Sequence, residues 1–99
     1  MKYEFHSEAE QELYEATLRY ETEVPSLGAR FAEEVERVIE LVLDHPELGS
    51  RLDENLRHVV LPRFPFSVVY AVVADIVYVV ALAHGSREPD YWRPRVQDR

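Results

Sequence analysis

The stretch from residue 66 to residue 83 constrains the fold most, because 18 successive residues carry a single charge, at Asp75. An apolar run of this length could cross a membrane as a helix. A charge near the middle of such a helix costs about 2.5 to 3.5 kcal/mol on insertion scales, and the run is rich in valine, which favours strands. We therefore predict no membrane span but two paired strands, residues 67–73 and 76–84, joined by a turn at Ala74 and Asp75.

The N-terminal third predicts a short strand followed by a helix. Residues 2–6 alternate polar and aromatic side chains, which is typical of a strand. Ser7 and Glu10 have the spacing of a capping box, in which each side chain satisfies a free backbone N–H at the start of a helix. Apolar residues then recur at intervals of three and four until Pro25, which predicts a first helix over residues 8–24.

A second apolar stripe predicts another helix over residues 27–44, ending before Pro46. The connection between the two helices is short, so they must lie antiparallel as a helical hairpin. Strand-forming residues return at residues 57–61. The chain of 99 residues therefore predicts one domain over residues 1–99 of the α+β class, with the element order β-α-α-β-β-β. In it the helical hairpin packs on a small antiparallel sheet, and a short polar segment follows.

The two long strands are apolar on both faces, and one helical layer can cover only one of them. This predicts a protein partner on the face opposite the helices. The segment after Gly85 is polar, and residues 91–95 are compatible with one helical turn. Tyr91 and Trp92 in this segment have the composition of an interface, or they pack back on the edge of the sheet.

The composition excludes several kinds of chemistry. The chain has no cysteine, so disulfides, thiolate nucleophiles and cysteine zinc sites are excluded, and a reducing cytoplasm is the expected compartment. The first 12 residues hold four glutamates and no apolar run, so we expect no secretory signal. The histidines are not spaced for a metal site, and no glycine-rich phosphate loop or nucleophile elbow is present. We expect neither a metal nor a cofactor.

The charge is distributed unevenly along the chain. The net charge of −8 disfavours binding to nucleic acid. Residues 1–49 carry −9, however, and residues 50–99 carry +1. Ten of the eleven basic residues are arginines, which suit bidentate contacts to carboxylates or phosphates. Strand ends of a small sheet lie close together, so Arg57, Arg63 and Arg87 are candidates for one cationic patch that binds a phosphate or a partner's carboxylates.

The end of the last strand carries the best candidates for chemistry. His84 is followed by Gly85, Ser86 and Arg87, a turn that would expose both the imidazole and the guanidinium. The alternative is a histidine that ends a strand and an arginine in a surface ion pair.

Three stretches together resemble the RelE/ParE toxin family of bacterial type II toxin-antitoxin (plasmid stabilisation) systems. They are RFPFSVVY at residues 63–70, VYVVAL at residues 77–82 and HGSREPDYW at residues 84–92. The resemblance implies a small cytoplasmic toxin that a co-encoded antitoxin neutralises. It also implies one of two activities. RelE-like members cut messenger RNA on the ribosome with basic residues on the strands and a tyrosine or similar residue near the C-terminus, whereas ParE-like members act on DNA gyrase.

Most of the ribonuclease residues are absent. Aligned on Tyr70, the position of the catalytic arginine is Ser67, and the lysine positions of the preceding strand hold apolar Val59 and Leu61, or His58. The remaining candidates for ribonuclease catalysis are Arg87, His84, His58 and Tyr91, since an imidazole exchanges protons near neutral pH.

The resemblance therefore favours a ParE-like, non-enzymatic inhibitor of DNA gyrase. A RelE-like, metal-independent endoribonuclease that acts on the ribosome and mRNA is the alternative, and a degenerate member that only binds protein is a further one. The residues expected to contact a target or the antitoxin are Arg57, Arg63, Arg87, Tyr91, Trp92 and Arg93.

Overall fold

The structure is a computed structural model and describes residues 1–97. Its class is α+β, which confirms the predicted fold class. None of the helices in residues 1–97 is long and apolar enough to cross a membrane. The elements, in chain order, are β1 (Lys2–Phe5), α1 (Ser7–Glu23), α2 (Leu27–Asp44), β2 (Ser50–Arg51), β3 (Leu56–Val60), β4 (Phe66–Val73), β5 (Ile76–His84) and α3 (Arg93–Gln97).

The strands form one five-stranded sheet in the order β1-β5-β4-β3-β2. Strands β3, β4 and β5 pair antiparallel, as predicted. Strand β2 was not predicted and pairs antiparallel with β3 as an additional short strand. Strand β1 pairs parallel with β5, with Lys2 opposite Ile76 and Phe5 opposite Val79, so the sheet is mixed rather than wholly antiparallel. The side-chain pattern of β1 could not predict its direction, because no turn connects β1 to β5 and the whole helical hairpin lies between them.

The start of α1 differs from the predicted capping box. His6, not Ser7, is the N-cap, and its Nδ1 accepts the Glu8 N–H at 3.1 Å. An imidazole nitrogen one residue earlier performs the capping function that the prediction gave to the serine oxygen. As a result α1 begins at Ser7 instead of residue 8. It ends at Glu23 instead of residue 24, because Val24 has an extended backbone and is the C-cap. Helix α2 has the predicted bounds.

The connection between the helices is tight. Ser26 has a left-handed backbone with φ of 76°, and the Glu21 carboxylate accepts the N–H groups of Ser26 at 2.8 Å and Gly28 at 3.0 Å. A Cβ atom at Gly28 would lie 2.4 Å from the Thr17 carbonyl oxygen, so only glycine allows the helices to approach this closely. This connection holds α1 and α2 antiparallel, as the sequence predicted.

One face of the sheet packs against the hairpin and forms what we call the first core. Its buried members come from both helices and from β4 and β5, and the rings of Tyr20, Phe31, Phe64 and Phe66 lie 5.0–6.3 Å apart where they contact each other. The first core consists of Ala9, Ala16, Phe31, Val35, Val38, Ile39, Val42, Leu61, Phe66, Val68, Tyr70, Val77, Val79 and Leu82.

The opposite face carries a smaller, second core. Its members are Leu56, Val69, Ala71, Val80, Ala81 and Trp92. Trp92 is only 4% exposed, so the chain covers part of this face with its own C-terminal segment. The two-sided apolar character of the strands therefore does not by itself require a partner here, and the alternative in which Tyr91 and Trp92 pack back on the sheet is the one observed.

Candidate functional site

The four side chains that the sequence singled out for catalysis line one cleft of about 260 Å³, which we call the C-terminal cleft. His58 comes from β3, His84 ends β5, and Arg87 and Tyr91 come from the segment that follows. Antiparallel pairing places His58 opposite Val69 on β4 and brings these strands together at one end of the sheet. Ser67 also lines this cleft; it is the uncharged residue that stands where RelE-like members carry a catalytic arginine.

The His84 ring is fixed in orientation. Its Nδ1 accepts the Ser86 backbone N–H at 2.9 Å and lies 2.7 Å from the Ser86 hydroxyl oxygen. The ring also packs edge-on against Phe66, with 5.0 Å between the centroids. A backbone N–H can only donate, so a neutral His84 carries its proton on Nε2.

Arg87 stacks on Tyr91. The guanidinium carbon lies 3.8 Å from the centroid of the Tyr91 ring, which is a close cation–π contact. Arg87 is exposed, and no ion pair of residues 1–97 includes it. The guanidinium is therefore ordered by the ring beneath it and is available to an anion or to the carboxylate of another protein.

The hydroxyl of Tyr91 belongs to a polar group that we call the Glu12 cluster, formed by Glu12, Tyr91 and Arg95. Tyr91 donates to Glu12 Oε2 at 2.6 Å, and Arg95 makes a bidentate contact with both carboxylate oxygens at 2.9 Å. The Leu82 N–H donates to Oε1 at 3.0 Å, and Arg95 also donates to the Val80 carbonyl at 3.1 Å. This cluster attaches the C-terminal segment to α1 and β5.

The cluster fixes the protonation of its members. Burial raises the pKa of the Tyr91 hydroxyl far above its ordinary value of 10.0, and the hydrogen bond to Glu12 raises it further. Burial also acts to raise the pKa of Glu12, but the hydrogen bonds from Arg95, Tyr91 and the Leu82 N–H outweigh it and leave this pKa below its ordinary 4.5. At neutral pH Glu12 is a carboxylate and Tyr91 a phenol, so Tyr91 is poorly suited to act as a base.

The three arginines expected to form one patch lie in different places. Arg57 donates to the carbonyl oxygens of Gly49 at 2.7 Å and Glu47 at 3.2 Å, so it holds the connection between α2 and β2. Arg63 is exposed in the loop between β3 and β4 and lines a groove beside α2. With Arg87 in the C-terminal cleft, these arginines line three separate depressions rather than one.

The two remaining expected contact residues have different surroundings. Arg93 pairs with Asp53 and, at 3.5 Å, with Asp90, and its guanidinium lies 4.8 Å from the Trp92 ring. Its side chain is 35% exposed. Trp92 itself is buried in the second core. Of this pair, only Arg93 reaches the surface.

Two helical carboxylates that the fold uses were not singled out from the sequence, the partly buried Glu12 and the buried Glu34. Glu12 holds the C-terminal segment, and Glu34, only 5% exposed, accepts the Arg63 N–H at 2.9 Å. A signal for both exists in the sequence. Glu12 stands three residues after Ala9, and Glu34 three residues after Phe31, so each occupies a position in the apolar stripe of its helix.

Within residues 1–97, no three histidine or acidic side chains are grouped in a way that could hold a metal ion. The C-terminal cleft offers an ordered arginine, two imidazoles and a hydrogen-bonded phenol, together with the Ser67 hydroxyl and the carboxylates of Glu88 and Asp90.

The fold described above is shared with solved structures of toxin-antitoxin proteins. A chain of the chromosomal ParDE toxin-antitoxin system from P. aeruginosa superimposes with a TM-score of 0.73 at 15% identity, covering 85% of this chain and 95% of that one. The isolated E. coli RelE toxin superimposes with a TM-score of 0.65 at 17% identity, covering 99% and 98%. These identities show the fold alone, and no curated protein matches the chain. The fold class is therefore that of these small α+β proteins.

The family follows from the sequence. Residues 3–89 match the model of the ParE toxin of the type II toxin-antitoxin system, parDE. The chain belongs to this family and is the toxin component of a type II toxin-antitoxin system, which confirms the resemblance stated above. Membership of the family implies an antitoxin partner.

Proposed function

We propose that this toxin acts in the cytoplasm on DNA gyrase, by binding to it rather than by cutting RNA, and that its antitoxin blocks this contact. The observation that carries the proposal is that the Tyr91 hydroxyl is hydrogen-bonded to Glu12 and stays protonated. Its hydroxyl is 2.6 Å from the Glu12 carboxylate, and its pKa is raised by burial. A phenol held in this way serves to position its ring and not to take a proton.

The chemistry of RNA cleavage supports the same conclusion. Without a metal, cleavage needs a base for the 2′-hydroxyl, a cation for the phosphate and an acid for the leaving oxygen. Arg87 provides the cation. Ser67 is uncharged, and Tyr91 is bound to Glu12, so most of a ribonuclease set is lacking in the C-terminal cleft.

For the target contact we propose Arg87 and Arg93. Each guanidinium lies over an aromatic ring, Arg87 over Tyr91 at 3.8 Å and Arg93 near Trp92 at 4.8 Å. Such stacking keeps Arg87 ordered while it makes no ion pair within residues 1–97, which suits binding to a carboxylate of a protein target. Arg93 is paired with Asp53 and Asp90, so it would exchange these ion pairs for the target's carboxylates. Tyr91 and Trp92 act beneath the arginines as supports. Arg57, which holds a loop, is proposed to stabilise the fold instead.

A ribonuclease is the second candidate, and one observation favours it. His58, His84 and Arg87 line the same cleft, and imidazole side chains exchange protons near neutral pH, so a protonated ring can serve as an acid and a neutral ring as a base. With His58 as the base, these three residues would supply the groups that Tyr91 does not.

Two assays with the purified toxin and with cells separate the candidates. In a translation extract, we expect messenger RNA to stay intact in the presence of the wild-type toxin. In cells that lack the antitoxin, we expect growth arrest with loss of DNA supercoiling, relieved in Arg87→Ala/Arg93→Ala but not in the exposed control Arg51→Ala. Codon-dependent cleavage that His84→Ala or Arg87→Ala abolishes would overturn the proposal and favour the ribonuclease.

A further inference from the structure

A second depression lies on the helical side of the molecule, away from the Glu12 cluster. It measures about 530 Å³, is bounded by α1, α2 and the loop between β3 and β4, and we call it the helix-side groove. Its lining contains three arginines, Arg30 and Arg37 of α2 and Arg63 of the loop, together with the rings of Tyr20 and Phe64. Nothing in the function proposed above uses these residues.

The three arginines have unused binding capacity. All three are exposed, and among residues 1–97 no ion pair or side-chain hydrogen bond includes their guanidinium groups. Glu34, the buried carboxylate of the groove, accepts the backbone N–H of Arg63 instead. With Glu33 as the only other acid in the lining, the groove is locally positive in a chain whose net charge is −8.

The spacing of the arginines suits a peptide. Arg30 and Arg37 are seven residues apart on one helix, so they share a face and lie about 10 Å apart along its axis. Two carboxylates on a bound segment can reach both. Arginine forms bidentate contacts with carboxylates, and its charge is retained at any physiological pH.

The aromatic rings provide the apolar part of the groove. Tyr20 and Phe64 meet edge to face with 5.0 Å between their centroids, and Phe64 lies 5.0 Å from Phe31 in the first core. The rings are thus held rigidly from behind, while both remain partly exposed. Arginine and tyrosine together are typical of residues that dominate the binding energy of protein interfaces.

We infer that the helix-side groove binds an acidic segment of the antitoxin, with carboxylates on Arg30 and Arg37 and an apolar side chain on Tyr20 and Phe64. The inference rests on the antitoxin that the family implies. Charge complementarity selects an acidic occupant, and the size of the groove, which accommodates a few side chains, favours a peptide over a nucleic acid. A phosphate backbone would need a longer basic surface than a chain of this net charge offers.

The test is the affinity of the purified toxin for the antitoxin encoded beside it, measured by calorimetry. Reversing both helix charges in Arg30→Glu/Arg37→Glu replaces two attractions with two repulsions, and we expect the affinity to fall by about 100-fold. The neutral variant Arg30→Gln/Arg37→Gln should bind with a weaker dependence on salt than the wild type. The matched control Arg19→Glu/Arg51→Glu has the same change in net charge at exposed positions outside the groove, and should stay within about threefold of the wild type.

Two further measurements make the outcome decisive. Far-UV circular dichroism and thermal unfolding establish whether each variant is folded. If Arg30→Glu/Arg37→Glu does not fold, Arg63→Glu replaces it, because Arg63 lies in a loop and not in a helix. An equal loss in the groove variant and the control would overturn the inference, as would a groove variant that binds the antitoxin normally but loses affinity for a single-stranded RNA oligonucleotide. Toxicity in cells without antitoxin should persist in the groove variant. If the wild type itself is not toxic, the proposed function fails while the affinity comparison still stands.

Discussion

The two faces of the sheet are covered in different ways. The first core has fourteen buried members and is closed by two long helices, whereas the second has six and is closed by one short segment around Trp92. The first core is held by many apolar contacts of similar kind. The second depends on a few specific ones, the bidentate Glu12–Arg95 pair above all. The second core therefore depends much more on single residues than the first. We expect the protein to open locally at the second core before it unfolds as a whole.

This difference can be measured because Trp92 is the only tryptophan. Its fluorescence reports the second core alone, and far-UV circular dichroism reports the helices and therefore the first core. The two signals therefore distinguish unfolding at one face of the sheet from unfolding at the other.

Phe31→Ala is expected to cause the largest loss. Phe31 is fully buried, and removing its ring deletes apolar contacts and leaves a cavity among Tyr20, Phe64 and Phe66. The free energy of unfolding should fall by about 3 to 5 kcal/mol. Urea denaturation should show the fluorescence and dichroism transitions moving together. A loss below about 1.5 kcal/mol would contradict the role we give to this core.

Glu12→Ala is expected to cost about 3 kcal/mol, because it removes the bidentate partner of the Arg95 guanidinium, 8% exposed as a residue, and the acceptor of the Leu82 N–H. Arg95 then keeps only the Val80 carbonyl and the Glu8 carboxylate at 3.7 Å. Here the two signals should separate, with Trp92 fluorescence changing at a lower urea concentration than the dichroism. Glu15→Ala, an exposed neighbour on the same helix, is the control and should change stability by less than about 0.5 kcal/mol. Coincident transitions in the Glu12 variant would show that the faces are not independent.

Tyr91→Phe should have a smaller effect. It removes one hydrogen bond to Glu12 but keeps the ring under Arg87, so we expect a loss of about 1 kcal/mol, seen mainly by fluorescence, and unchanged toxicity. Tyr91→Ala, which also removes the ring, should lower toxicity. If the phenylalanine variant loses toxicity while it remains folded, the hydroxyl has a chemical function that our account denies.

The smallest expected effect concerns how the free energy of unfolding depends on pH. The pKa of Glu12 is lowered in the folded state, so its contribution to stability is present above the ordinary value of 4.5 and is lost as the pH falls through the folded value. The stability advantage of the wild type over Glu12→Gln should therefore shrink between about pH 5 and pH 3. Because Asp53, paired with Arg93, also has a lowered pKa, the comparison between the two proteins is needed, and not the wild-type profile alone. An advantage that stays constant over this range would contradict the assignment.

Features that depend on local pattern could be predicted from the sequence. The helical stripes, the valine-rich strands and the turn at Ala74 were predicted to within one residue of the observed bounds. The direction of β1 and the short strand β2 could not, because both depend on pairing between segments with no local turn to set it. The N-cap at His6 was displaced by one residue from the serine that the motif indicated.

The residues of the C-terminal cleft could be predicted from the sequence, whereas the contact that holds the C-terminal segment could not. His58, His84, Arg87 and Tyr91 were recognised as chemically interesting, and the structure brings them to one cleft. The role of Glu12 was not, because its partner Arg95 lies 83 residues away along the chain. An acidic residue inside an apolar stripe is the one local sign that such a partner exists.

We propose that this toxin binds DNA gyrase without cutting RNA. The most direct test is the supercoiling of relaxed plasmid DNA by purified gyrase in the presence of the purified toxin, with Arg87→Ala/Arg93→Ala and Arg51→Ala in parallel. Our account predicts that the wild type and Arg51→Ala inhibit supercoiling, that the double variant inhibits weakly, and that added antitoxin restores the reaction. Full supercoiling activity at a large molar excess of folded wild-type toxin would contradict it.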